Sequence, residues 1–560
     1  MRNKIEGRRV ASVLVGALAG VLAPAAAFGY GVEVPENGGV AFGRAGAFVA
    51  RASDPSAIML NPGGLGNLPG FQLTLSTNLV QFNHCFQRSG NYDSIDDARN
   101  LTVSGTRFEG PGPNGPAAGD AYYTFPNRIA YPEICKEPAV GLAVQLLATY
   151  RIANRYTIGL GVFSPSTQGS TQNFPDTVTA SGSINGMNRS FLAPSPARYL
   201  LYRKSLTVLY PTIAFGARIT NWLSAGVAAH LGYANFSFGL NANANYLGPQ
   251  SPTSDVFIGL GASGVFPAFT VGLLATPHRM ISIGANFRYN APVTASGTAN
   301  NRTNIYSASP IESTFAVNEL VAQLPWQFRA GVRFALPRQG RPTQNDGSGQ
   351  YDPMTDDVFD VEADFIYEAT STLSTTTLRN TGGIVTSVDA MGRPTMTVDA
   401  PRSISISSAL SNVMGVRIGG DVNILPGRLT ARAGFSYESA GVSPALAQIH
   451  LPAYEGVSVH GGLTFRWRWL NVSAGYAHFF YFGNDATNAT RAIVTPGDPA
   501  EPNPDRRVQL DPNATGPNGG NCASPGGCSD PARGSGTYTI NRGTYSASQN
   551  SFNIALGLRF

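Results

Sequence analysis

Asn37–Leu68, NGGVAFGRAGAFVARASDPSAIMLNPGGLGNL, is the one stretch past the leader that reads neither as strand nor as a connection between strands. Small and apolar residues (Ala41, Ala45, Phe48, Val49, Ala52) recur at roughly helical spacing between glycines. Asp54-Pro55 offers an N-cap followed by proline at the first helical position, where the missing N–H costs nothing. A short helix predicted over 56–60 has to stop at Asn61, because Pro62 pushes its predecessor out of the α region. Two short helical pieces flanked by glycine cannot bury themselves. The stretch reads as a plug, within a segment 28–70, that packs inside something built by the rest of the chain.

Composition says what that something is. Charged residues are only 13% of the chain, while Gly (64), Tyr (22) and Phe (30) are plentiful. Mean hydropathy is -0.06, and past the N-terminus no apolar run reaches about 18 residues, so a transmembrane helix is excluded for the mature chain. Few charges, many aromatics and neutral hydropathy fit a membrane β-barrel with an apolar lipid face and a polar lumen. At the start, Arg2, Lys4, Arg8 and Arg9 precede an apolar run that closes on Ala25-Ala26-Ala27. This pattern predicts a signal peptide over 1–27, cleaved after Ala27 or Gly29, and export to the outer membrane of a Gram-negative cell. The leader carries four bases and Glu6 of a formal charge of +5. The mature chain is therefore near neutral, and no basic stripe invites nucleic acid.

Four cysteines fall as two local pairs, Cys85 with Cys135 and Cys522 with Cys528. An even count in an exported chain favours disulfides. Closing the first loop would remove about 4 kcal/mol of chain entropy from the unfolded state. A metal site needs four ligands, and Cys522 and Cys528 have no histidine pair beside them. No metal or cofactor is expected.

After the plug, segments of alternating hydrophobicity recur at 71–83, 139–152, 155–164, 205–219, 222–238, 256–276, 279–291, 322–336, 357–370, 411–424, 428–439, 455–468, 470–482 and 549–560. In the last of them Phe552, Ile554, Leu556, Leu558 and Phe560 alternate cleanly. Connections alternate long and short: 84–138, then Ala153-Asn154, then 165–204, then a turn at Asn221, and onward through 371–410 to 483–548. Long loops at one end and tight turns at the other are how outer-membrane barrels are built, and closure with an even strand number leaves no free edge. One connection, 337–356, should be short and is not. The expected fold is a fourteen-stranded antiparallel outer-membrane β-barrel, 71–560, with a small helical plug in its lumen.

Strand phase says what faces that lumen. Over 357–370, Asp360, Glu362, Asp364 and Glu368 share one face, and Phe359, Val361, Ala363, Phe365 and Tyr367 the other. Acids facing lipid would be prohibitive, so they point inward. Arg329 and Arg333 on the strand before, and Arg417, Asp421 and Arg432 on the two after, share that inward phase. An interior ladder of acids and arginines follows. It either compensates charge in a plugged lumen or leaves an arginine to capture an acidic cargo.

Catalytic motifs are missing. Gly259-Leu260-Gly261-Ala262-Ser263-Gly264 matches GxGxxG but lies inside an expected strand with no helix after it. The six histidines are scattered, and no GxSxG elbow exists. The chain is not expected to be an enzyme.

The plug resembles the start of the FadL/TodX family of outer-membrane transporters for long-chain fatty acids and hydrocarbons. Those open with a GxGRAxAG-like segment, a DAS/DPS step and an NPAG-like turn. Here these are Phe42-Gly43-Arg44-Ala45-Gly46, Ser53-Asp54-Pro55-Ser56 and Asn61-Pro62-Gly63-Gly64-Leu65, with a second glycine where the family tends to alanine. GLGVFSPS (159–166), RLTARAGFSYESAGVSP (428–444), LNVSAGYAHFF (470–480) and the C-terminal GTYSASQNSFNIALGLRF are similar to family strands. The resemblance implies a hatch gated through Gly43, Arg44, Ser53, Asp54, Asn61 and Pro62, and passive movement of a long-chain fatty acid or other hydrophobic small molecule. It also implies a side window where the third strand kinks. Phe163, Ser164 and Pro165 are the candidates, although Pro165 could simply end the strand. Aromatic loop residues such as Tyr122, Tyr123, Phe125, Phe191, Tyr199 and Tyr202 could meet the ligand or pack the loops together. A monomer surrounded by outer-membrane lipid and lipopolysaccharide is expected. A general porin and a surface-binding barrel are the competing readings.

Overall fold

The computed structural model describes residues 33–34, 38–88, 130–167, 172–184, 187–198, 200–243, 255–303, 311–344, 346, 350–380, 384–388, 394–399, 403–407, 410–442, 449–450, 452–482 and 543–560. The expected leader, the Cys522–Cys528 pair, Tyr122, Tyr123, Phe125, Tyr199 and most of the loops 84–138 and 483–548 lie outside them.

Fourteen antiparallel strands close into a barrel. In chain order they are β1 (Phe71–Arg88), β2 (Val140–Ala153), β3 (Tyr156–Phe163), β4 (Leu201–Arg218), β5 (Leu223–Asn243), β6 (Asp255–His278) and β7 (Ile281–Asn290). β8 (Gln327–Pro337), β9 (Asp357–Glu368), β10 (Val413–Leu425), β11 (Leu429–Glu438), β12 (Glu455–Trp467), β13 (Leu470–Phe482) and β14 (Gly543–Arg559) complete the circuit. Each strand pairs with its sequence neighbours, and β14 returns to β1 from Gln72↔Arg559 to Arg88↔Gly543. Several strands run past the lengths the sequence suggests. β1 continues to Arg88, β4 starts at Leu201 and β14 at Gly543.

Period-two alternation gives the wall two chemistries. Ile213, Leu231, Leu273, Val332, Val361, Ile418, Leu463 and Ile554 face outward and are exposed, whereas Thr212, His230, Arg333, Glu362, Arg417 and Asn553 face inward and are buried. An apolar band of this extent is stable only against lipid. At the short-turn end Trp222, Trp467, Trp469 and Phe560 are exposed, with Trp469 stacked on Phe560 at 5.7 Å between ring centres. This is the aromatic girdle of a membrane interface.

Toward the long-loop end the wall forks at β6. Its inner half pairs with β7, while 256–263 pair with a further strand, Val293–Thr303. That strand leads on to Ile311–Ala322, Thr375–Asn380 and Ser403–Ser407, a collar standing above the barrel proper. The 84–138 loop is tied down where Cys85 and Cys135 form a disulfide between paired strand residues. The GxGxxG match sits within β6, with no phosphate cradle.

Within the bore lie α1 (Gly39–Gly43), α2 (Ala57–Leu60) and a 3-10 turn over Pro62–Asn67. The helical spacing read over 41–52 does not make one helix. The chain leaves α1 at once, and Ala45 (φ 54°) and Ala52 (φ 38°) adopt left-handed backbone. α2 begins one residue later than expected, at Ala57, and Asn61 ends it in extended conformation.

Candidate functional site

The plug and the wall around it form the site. One side of the seat is charged. Arg44 and Arg51, the two bases of the plug, reach acids on β9 and β10. Arg44 bridges Asp360 (2.5 Å), Asp421 (2.8 Å) and Glu362 (3.1 Å), and Arg51 bridges Asp360 (2.6 Å) and Asp421 (2.8 Å). Four successive plug amides complete the contact. Phe48 and Val49 donate to Asp364 at 2.9 and 3.1 Å, and Ala50 and Arg51 donate to Glu362 at 2.6 and 3.3 Å. Wall arginines share the same acids: Arg333 with Asp360 and Asp357, and Arg432 with Asp421. Arg417 pairs with Glu438 and donates to the carbonyl of Ala45, holding that left-handed residue in place. Arg329 donates to Gln327. The ladder expected between wall strands is therefore shared with the plug.

On the opposite side, at β4–β6, the contact is made by backbone and uncharged side chains. Gly216, Gly226 and Gly272 lie side by side in register across β4, β5 and β6, and the 3-10 turn rests on them. A Cβ at Gly216 would come 2.8 Å from the amide nitrogen of Gly66, one at Gly272 2.8 Å from that of Gly63, and one at Gly226 would strike the Pro62 carbonyl. Gly63 in turn could not carry a side chain against Leu273, whose backbone lies 2.7 Å from its would-be Cβ. Asn61 pins this edge: its Nδ2 donates to Val49 (2.7 Å) and Leu273 (2.9 Å), and its Oδ1 accepts from Gly63 (3.0 Å). Close backbone approach is what glycine permits here, and it brings the plug flush with the wall.

Of the remaining plug residues, Gly43 ends α1 with its would-be Cβ 3.2 Å from the Cα of Gly462. Ser53 accepts from Arg51, Asp54 accepts from the Ser56 amide at 2.7 Å, and Pro62 opens the 3-10 turn.

Beside the plug a cluster of buried apolar side chains joins Phe48, Ile58 and Met59 to Leu147, Phe163, Leu206, Val208, Phe236 and Phe266 from β2–β6. The wall beside it is interrupted. β3 pairs with both neighbours only as far as Phe163. Ser164 makes one more bond to Val144, and beyond Pro165 the chain turns away, so that Ser166–Thr167 pair with Glu33–Val34 instead. Among the described residues no strand lies between β2 over 140–143 and β4 over 205–209. Pairing on this side of β4 resumes only at Lys204↔Gln172. Phe163 itself is buried, its ring 5.3 Å from Tyr210.

Solved structures match this arrangement along almost its whole length. A FadL homologue from Pseudomonas aeruginosa aligns with TM-score 0.59 at 14% identity, covering 94% of this chain and 99% of that one. The toluene transporter TodX of Pseudomonas putida aligns with TM-score 0.55 at 14% identity, covering 94% and 99%. The toluene transporter TbuX of Ralstonia pickettii aligns with TM-score 0.50 at 15% identity over the same shares. The chain has the FadL/TodX barrel fold. No family model matches it, and no curated protein does.

On this FadL/TodX fold the over-long connection 338–356 becomes a strap under the short-turn mouth. Gln344 accepts from Ser282 of β7 at 2.8 Å, Tyr351 accepts from Arg333 of β8 at 3.0 Å, and Asn423 of β10 donates to Pro353 at 2.7 Å. At its far end Asp352 pairs with Arg466 of β12 and, at 3.0 Å, with Arg559 of β14. Burial opposes the Asp352 carboxylate, but Arg559 and Arg466 outweigh it and hold its pKa well below the usual carboxylate range. The strap thus ties strands from β7 round to β14.

Three features of this site escape the sequence reading: the plug arginines as partners of the wall acids, the glycine seat and the strap. The first two left a signal. Two arginines in a buried plug need buried acids, and Gly216, Gly226 and Gly272 all fall in the inward phase.

Proposed function

We propose that this barrel lets long-chain fatty acids or other hydrophobic compounds pass through the outer membrane of a Gram-negative cell. Passage is passive, controlled by the plug acting as a hatch, with exit sideways into the bilayer through the break beside β3. The observation that carries this reading is the buried apolar cluster beside the break in the wall. It is floored by the plug and bordered by the break beside β3. An apolar cargo that left axially would have to enter water, whereas a side exit keeps it in contact with apolar surface throughout. The solved neighbours TodX and TbuX are toluene transporters, which favours transport over catalysis. Residues 1–27 serve as the cleaved export signal, and the barrel works as a monomer in lipid and lipopolysaccharide.

Reconstituted protein tests the reading. It is expected to bind a fatty acid or hydrocarbon, to restore uptake in a deletion strain, and to show little conductance in planar bilayers. Steady large conductance steps without cargo binding would make it a porin instead.

A further inference from the structure

The short-turn end of the barrel is basic, and its charge is left open. Arg155, Arg279, Arg428 and Arg468 are exposed, in the turns β2–β3, β6–β7, β10–β11 and β12–β13. Among the described residues none of the four meets an acid. The acids at this end are engaged by other groups: Asp352 by Arg466 and Arg559, and Asp356 by Arg341. Asp346 accepts from the Thr343 amide within the strap. The long-loop end differs. There Arg203 pairs with Asp176 and Arg379 with Glu319, and Glu133, Glu137 and Glu312 are exposed.

The turn between β12 and β13 ties this charge to the membrane surface. Arg468 sits in a two-residue hairpin loop closed by Trp467↔Leu470, with left-handed backbone at φ 56°. Glycine or asparagine is the ordinary choice at such a place, and arginine there carries a conformational cost. Its chain neighbours, Trp467 and Trp469, are exposed and belong to the aromatic girdle. Arg155 likewise stands next to exposed Tyr156. Girdle rings lie at the level of the lipid head groups, so a guanidinium beside them reaches the lipid phosphates.

We infer that the arginines of the short turns bind the phosphates of anionic phospholipid, of the phosphatidylglycerol type, in the leaflet around the short-turn end. A guanidinium presents paired N–H donors to phosphate oxygens, and this lipid carries a net negative charge that a zwitterionic one lacks. The four turns are spread round the wall rather than gathered on one sector, which suits a ring of lipid better than a docked acidic protein. None of this depends on what the barrel carries.

The test extracts full-length protein from bilayers of phosphatidylglycerol and phosphatidylethanolamine in equal parts and counts the retained lipid by native mass spectrometry. Phosphatidylglycerol is expected to be enriched about fivefold, the gain from one basic residue at an anionic surface, and less so at high salt. Combining Arg155→Gln, Arg279→Gln, Arg428→Gln and Arg468→Gln should return the ratio to that of the bilayer, and lysine at all four should keep most of the enrichment. Equal retention of both lipids by the native protein overturns the proposal, and is the result that an acidic protein seated on the rim would leave. Enrichment that survives the four glutamines overturns it too. The native measurement needs no variant, so a misfolded one does not blunt it.

Discussion

The two sides of the hatch seat are held by opposite physics. On β9 and β10 the plug is fixed by directional charge: two arginines and four amides converge on Asp360, Glu362, Asp364 and Asp421. On β4–β6 it is fixed by close backbone packing, glycine against glycine, and by uncharged hydrogen bonds from Asn61 to Leu273 and Asn67 to Ser224, beside the apolar cluster and the interrupted wall. Charge pairs in a water-poor bore are costly to separate, since each buried partner left alone must be solvated by nothing. Apolar and backbone contacts can slide with much smaller losses. On the proposed gating, the difference puts the hinge on the charged side and the movement on the glycine side.

The largest expected effect comes from breaking the charged side. Arg44→Met leaves three buried carboxylates short of a partner and should destabilise the plug by about 3–5 kcal/mol. Protease should then cut within 38–70 and bilayer conductance should rise, while the barrel still shifts on unheated gels. A protected plug in that variant would end the hinge idea.

Overfilling the glycine side should cost less. Gly272→Val forces a side chain onto Asn61 and Gly63, for about 1–3 kcal/mol, and should slow uptake without freeing the plug to protease. Gly261→Val is the control, because a Cβ there meets nothing within 4 Å. Equal effects of the two would mean that the seat is irrelevant. Asn61→Ala removes the pin between the two sides. It should cost about 1–2 kcal/mol and change uptake at constant barrel stability, as read by thermal melting and transport assays.

The strap should give the smallest effect. Because Asp352 has its folded pKa depressed, its contribution is present above the unfolded value and is lost as pH falls below about 4. Hydrogen exchange over 338–356 should therefore rise at strongly acidic pH and in Asp352→Asn at neutral pH. Loosening between pH 5 and 7 would contradict this.

How much of this was legible varied with where lipid lies. Strands inside the bilayer must alternate strictly, so β8, β9, β11 and β14 announce themselves, and the inward phase of Asp360, Glu362, Asp364, Arg333 and Arg417 follows. The collar strands do not. Val293–Thr303 reads VTASGTANNRT and Thr375–Asn380 reads TTTLRN. Standing above the apolar band, these strands need no greasy face, and so they carry no periodic signal. The strap was visible only as an anomaly of length, and the long loops that fall outside the described residues add nothing to the comparison.

The amino-acid sequence alone determined that this is a lipid-facing barrel with a small glycine-bounded plug, because period-two patterning and turn chemistry are local and survive without the fold. Only the tertiary structure decided which acids receive Arg44 and Arg51, where three glycines meet across three strands, and where the wall breaks beside β3. Those depend on closure. Asp360 lies 316 residues from Arg44, and only a barrel that has wrapped around its plug brings such partners within bonding distance.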